Sequence, residues 1–209
     1  MNIKFLSSGM VLLLCISHLL MAMPADAGVA TEQTRATADK VLTILNNPEL
    51  RSAERKSERR EQLRAAIYPR FDFAEMAKRS LGSQWSRRSA QEQSEFVRLF
   101  SDLLEKSYID KIESYNGEKI TYTRENQDQD RAEVFTKVIT KKGEEFSVNY
   151  TLHATNGEWK IYDVVIENIS LVNNYRAQFN RILAKSSFDE LLRKLQAKVP
   201  DIKSVGTKS

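Results

Sequence analysis

His153 and Asp163 are the two side chains in this sequence best placed by type and spacing for acid–base chemistry. His153 alternates with the apolar residues of a strand pattern, which makes it a solvent-facing polar position in the simplest reading. Asp163 falls in the same alternating set as Trp159, Ile161 and Val165, where a buried carboxylate could act as a general base with a raised pKa. Buried charges are normally paired, however, so the structural alternative is a hydrogen bond to nearby backbone or an ion pair with Arg176. The only cysteine is Cys15 and the other histidine is His18.

Both of those residues fall in a segment that reads as a leader. Lys4 supplies a positive start, Met10 to Met23 is an apolar run broken only by Ser17 and His18, and Ala25 to Ala27 offers the small residues of a cleavage site. Residues 1–27 are therefore expected to be a cleavable export signal, with the mature chain beginning near Gly28. A lipid-anchored reading would use "LLLC" at Cys15, but Leu14 is bulky where a small residue is required. Once the leader is removed, no thiol remains and His153 is the sole histidine. Cys–His nucleophiles and zinc sites of Cys or multiple His are thereby excluded, and neither a catalytic set nor a metal site is assigned. No glycine-rich phosphate loop is present. The formal net charge is +4, with mixed signs and no basic stripe interleaved with aromatics, so no nucleic-acid partner is expected.

The elements that must position these residues fall into three groups. Val41, Ile44 and Leu45 give a short helical stripe ending near Pro48. "RSAERKSERREQLR" is nearly all polar, with Arg55–Glu58 and Glu61–Arg64 at i,i+3, and reads as a solvated helix face. "FDFAEMAKRSLG" reads as a helix capped at Asp72 and stopped at Gly82. A capping box, Ser89 to Glu92, opens a long helix carrying Phe96, Leu99, Phe100, Leu103, Leu104, Tyr108, Ile112 and Tyr115 on one face.

From Glu118 the period changes to two, giving four strand patterns separated by turn residues at Gln127–Asp130, Lys142–Gly143 and Asn156–Gly157. In the third, Phe146, Val148, Tyr150 and Leu152 share a face opposite Ser147, Asn149, Thr151 and His153. In the fourth, strict alternation puts Trp159, Ile161 and Val165 on one face and Tyr162, Val164 and Ile166 on the other. A strand apolar on both sides needs two covers, or one cover and a ligand. Two amphipathic helices follow, one carrying Tyr175, Phe179, Ile182 and Leu183, the other opened by a second capping box at Ser187–Glu190. The fold expected is a single α+β domain over residues 28–200, with N-terminal helices, a four-stranded antiparallel twisted sheet and C-terminal helices. Residues 201–209 are expected to form a flexible tail. Periodicity alone does not separate a filled core from a hollow one, because both use the same residue types.

Three long segments add to this reading: "FDFAEMAKRSLGSQW", "EFVRLFSDLLEKSYIDKIESYNGEKITY" and "WKIYDVVIENISLVNNYRAQF". Through them the chain resembles the MlaC-like family of periplasmic phospholipid-binding proteins, also called toluene-tolerance auxiliary proteins, from about Thr31 to Lys198. One departure is Asn168, where the family commonly has Gly; Asn tolerates positive φ better than most residues.

The resemblance implies a fold enclosing an apolar pocket that carries phospholipid acyl chains as cargo, with the head group near the mouth and no cofactor. It also implies a periplasmic monomer shuttling lipid between an outer-membrane lipoprotein–porin complex and an inner-membrane ABC transporter carrying an MCE-domain ring, maintaining outer-membrane lipid asymmetry. Such a carrier needs no nucleophile. The two most regular apolar faces supply the expected lining: Phe100, Leu103 and Tyr108 from the long helix, and Val148, Tyr150 and Leu152 from the sheet. Tyr175 and Arg176 are expected near the mouth. Two other classes fit the residues alone: a small pocket enzyme using His153 and Asp163, and an interaction module with a solid core.

Overall fold

In a computed structural model, which describes residues 28–198, the chain folds as an α+β domain. The expected leader and the expected C-terminal tail lie outside the described residues. Four helices come first: α1 (Val29–Asn46), α2 (Lys56–Ile67), α3 (Phe73–Leu81) and α4 (Ala90–Glu113). Strands β1 (Lys119–Asp128), β2 (Arg131–Ile139), β3 (Glu145–Thr155), β4 (Glu158–Ile166) and β5 (Ile169–Ser170) form one antiparallel sheet in sequential order. Helices α5 (Leu171–Leu183) and α6 (Phe188–Lys198) finish the domain. The fifth strand, a two-residue return after β4, was not among the four expected.

Local signals act as the residue types dictate. Asp72 caps α3 by accepting from the Glu75 backbone N–H at 2.9 Å, and Gly82 ends it at φ +56°. Ser89 and Glu92 form the reciprocal capping box of α4. Asn156 and Gly157 both take positive φ in the turn from β3 to β4. The turn into β5 does the same with Glu167 (φ +47°) and Asn168 (φ +63°). A left-handed residue with a side chain other than Asn, Asp or Gly carries a penalty of order 1–2 kcal/mol. Asn168→Ala is therefore expected to lower stability by about 1 kcal/mol, and Asn168→Gly to leave it within about 0.5 kcal/mol, as read from the urea midpoint.

The doubly apolar strand has a geometric explanation. Leu152 pairs with Ile161 and Thr151 pairs with Asp163, so Tyr162 is an extra residue, a β-bulge. Directly paired residues share a face, and the bulge shifts the alternation by one. Trp159 and Ile161 before it, and Val164 and Ile166 after it, therefore lie on the same side as Ala154, Leu152, Tyr150 and Val148. Strict alternation assigned Val164 and Ile166 to the opposite face from Trp159 and Ile161; the bulge corrects that assignment.

Buried side chains form two clusters. One is helical and aromatic, built on Phe96 and Phe100 of α4, Tyr175 and Phe179 of α5, and Phe188 and Leu191 of α6. Phe100 meets Tyr175 and Phe179 edge-on at ring-centroid distances of 5.2 and 5.6 Å. The other lies on the inner sheet face, with Ala132, Val134, Leu152, Ile161 and Val164 against Ala30 of α1 and Leu171 of α5. Phe71 and Tyr108 touch both clusters.

The charged run is a solvated face only in part: residues 51–57 and Glu61 are exposed, but Arg59, Arg60 and Arg64 of α2 meet α4. Arg59 and Arg60 donate through Nε to the two carboxylate oxygens of Glu113 at 2.9 and 3.0 Å, and Arg60 also pairs with Asp110. Arg64 pairs with Glu105 rather than Glu61, so α2 is fastened to α4 by a row of arginines against a row of carboxylates. Arg55–Glu58 forms as expected. The reason is topological: α2 and α4 lie side by side, so this part of the polar face meets a protein neighbour of opposite charge instead of water.

Candidate functional site

A cavity of about 270 Å³ lies between the two clusters. The sheet contributes Val148 and Tyr150 from β3, and Val164 and Ile166 from β4. The facing wall comes from the second half of α4, with Leu104, Tyr108, Ile109 and Ile112. Ile67, Tyr68, Phe71, Phe73 and Met76 close a third side, and Leu171 at the start of α5 closes a fourth. The apolar face of α4 thus has two roles. Phe96, Phe100 and Leu103 fill the aromatic cluster, and one to three turns further on the same face looks into empty space.

Of the eight residues expected to contact cargo, the structure brings Tyr108, Val148 and Tyr150 together in the cavity wall. The other five lie elsewhere. Phe100 and Leu152 are fully enclosed, one in each cluster, and Leu103 and Tyr175 are buried in the aromatic cluster. Arg176 donates from Nε to the Arg79 carbonyl at 2.8 Å, satisfying a backbone acceptor in the last turn of α3. The Asp163–Arg176 ion pair does not form. Asp163 instead accepts from the Val172 backbone N–H at 3.1 Å and from the Ser170 hydroxyl at 2.5 Å, which fastens the start of α5 to β4.

The lining residues that sequence reasoning did not select include Phe71 and Phe73, which flank the Asp72 cap, and Val164 and Ile166, whose facing depends on the bulge. Their one visible signal was excess apolarity: a Phe-Asp-Phe step outside any helical stripe, and a strand with too many greasy positions.

The polar groups at the cavity are few and mostly neutralised. Glu105 accepts from Arg64 Nε at 3.0 Å and from the Tyr68 hydroxyl at 2.8 Å. Burial and then that hydrogen bond to Glu105 push the Tyr68 phenol well above its ordinary pKa. Burial pushes Tyr150 up to about 12, and burial followed by the neighbouring Tyr175 raises Tyr108. All three phenols therefore remain protonated donors at neutral pH.

The acid–base candidates are not part of this wall. His153 and Asp163 pair with Lys160 and Thr151 on the sheet face opposite Val148 and Tyr150. His153 Nε2 lies 3.0 Å from Asp72 Oδ2, and its ring meets Tyr162 edge-on. Among the described residues, no three His, Cys, Asp or Glu side chains converge as metal ligands would.

A twisted sheet and four helices closed around a carbon-lined chamber define an α+β domain built to enclose an apolar ligand. The family model described as MlaC protein matches residues 35–197, and the chain belongs to that family. Over 164 residues it is 24 % identical to the intermembrane phospholipid transport system binding protein MlaC of Haemophilus influenzae, covering 76 % of this chain and 77 % of that one. It is 28 % identical over 131 residues to toluene tolerance protein ttg2D of Pseudomonas putida, covering 62 % of this chain and 61 % of that protein. The fold matches the solved structure of a phospholipid-binding protein from Ralstonia solanacearum in complex with a phospholipid. That match has a TM-score of 0.73 at 24 % identity and covers 82 % of this chain and 97 % of that one.

Proposed function

We propose that this protein is a periplasmic phospholipid carrier that holds acyl chains in the cavity between its two cores and moves them between membranes. The observation that supports this most directly is the cavity itself: a chamber of about 270 Å³, walled by Val, Ile, Leu, Phe and Tyr, in a chain of the MlaC family. The names of the Haemophilus influenzae relative and of the solved Ralstonia solanacearum neighbour point the same way. Each CH₂ exposed to water costs about 0.8 kcal/mol, so long chains cross an aqueous compartment only inside such an enclosure. Cavities of about 150 Å³ hold a benzene-sized guest, and ligand sites run from about 300 to 1,000 Å³. At about 270 Å³ the chamber has room for part of one chain. An inner-membrane ABC transporter with an MCE-domain ring and an outer-membrane lipoprotein–porin complex are the partners this role implies.

Native mass spectrometry of protein purified without detergent tests the reading. Bound phospholipid is expected, with phosphatidylethanolamine and phosphatidylglycerol of equal chain length competing about evenly. Affinity should fall steeply as chains shorten, because burial supplies most of it and exposed charge contacts only about 0–1 kcal/mol. A lipid-free mass, or affinity set by the head group and indifferent to chain length, overturns the assignment.

A further inference from the structure

The cavity presents two hydrogen-bond donors that the protein itself leaves unused. Of the three tyrosines in its wall, Tyr68 donates to Glu105 at 2.8 Å. Among the described residues, the hydroxyls of Tyr108 and Tyr150 have no hydrogen-bond partner, and burial is the leading influence on both phenols. Tyr108 stands on the α4 wall and Tyr150 on the β3 wall, so the donors come from the two sides of the chamber. Both residues are half-buried, and a phenol at either place offers a donor to whatever fills the cavity that phenylalanine would not.

We propose that Tyr108 and Tyr150 are specificity-determining residues that donate hydrogen bonds to the ester carbonyls of the cargo, so that the cavity selects acyl-ester over alkyl-ether lipids. The inference rests on the phospholipid reading above. An ester carbonyl drawn out of water into a carbon-lined chamber loses its own hydrogen bonds, and one phenol–carbonyl bond relieves that deficit. A phenol is protonated at neutral pH in any case and burial raises both further, so they are donors throughout the neutral range. An ether oxygen is a weaker acceptor without a carbonyl, yet an ether lipid of equal chain length buries the same apolar surface. The contrast between the two lipids therefore isolates this contact from acyl burial.

The test is competition between a diacyl phosphatidylglycerol and its dialkyl-ether analogue of equal chain length. It uses the full mature protein, Tyr150→Phe, Tyr108→Phe and the double variant. The wild type is expected to favour the diacyl lipid by about three- to tenfold. The double variant should lose that preference, with the two lipids competing about evenly whatever its overall affinity. The ester carbonyl infrared band of bound diacyl lipid should show a hydrogen-bonded, low-frequency component that Tyr150→Phe diminishes. This reading uses the wild type as its reference and stands even if the double variant folds poorly. Equal wild-type binding of the two lipids, a preference that survives both substitutions, or a carbonyl band lacking the hydrogen-bonded component overturns the inference and leaves the carrier reading in place. Failure of the wild type to bind either lipid overturns both.

Discussion

Val148→Trp is expected to abolish phospholipid loading while leaving the protein folded. Val148 lines the cavity wall, so an indole there has empty space to enter and occupies the volume that an acyl chain would use. Leu103→Trp is the contrasting change. Leu103 is buried in the aromatic cluster, where extra volume forces neighbours off their rotamers at a cost of about 1–3 kcal/mol. That variant should lose stability in urea yet retain lipid in proportion to the folded fraction. Lipid content by mass spectrometry, set against the urea midpoint, separates the two outcomes. A Val148→Trp protein that still carries a full complement of lipid would mean that the cargo lies elsewhere.

The second large effect is expected at Glu113. Its side chain is 8 % exposed and is clamped by Arg59 and Arg60, which join α2 to α4. Arg59 and Arg60 are half-buried and keep the Leu50 carbonyl and Asp110 as other partners, so losing the carboxylate in Glu113→Ala should cost about 1–2 kcal/mol. Acid should have a parallel effect on the wild type. Burial alone would push this carboxyl up, but hydrogen bonds from Arg60 and Arg59, with their charges, outweigh it and hold Glu113 below its ordinary value of 4.5. A depressed carboxylate contributes stability in full above its unfolded pKa and loses it as pH falls through the folded one. The wild-type advantage over Glu113→Ala should therefore be constant near neutrality and shrink below about pH 4.5. Urea titrations at neutral and acid pH check this; a difference that does not change with pH would remove the charge from the explanation.

The parts legible in sequence were those fixed by short-range chemistry. Asp72, Ser89–Glu92 and Asn156–Gly157 place element boundaries because each satisfies or bends backbone within a few residues. The alternation of β3 gave its inner face correctly, since that strand carries no bulge. What stayed hidden depends on neighbours distant in sequence. The arginines of α2 look solvated until α4 is set beside them. The facing of Val164 and Ile166 depends on how β4 registers against β3. The hardest distinction lay along α4, where Phe100 and Tyr108 sit on one stripe, one in solid aromatic contact and the other in a cavity wall. Periodicity reports which side of a helix faces inward and nothing about whether the space it faces is full.

The extra residue at Tyr162 gives β4 one letter more than its pairing with β3 needs. A substitution at 162 alters one side chain and leaves Val164 and Ile166 turned toward the cavity. Deleting Tyr162 would restore even alternation and leave Ile161 opposite Leu152 and Asp163 opposite Thr151, so the downstream faces would not change. Keeping Tyr162 but flattening the bulge would instead turn Asp163 and Val165 inward in place of Val164 and Ile166, carrying a carboxylate toward a chamber lined by hydrocarbon. In this stretch it is the kink, not the tally of residues, that keeps hydrocarbon turned toward the cavity.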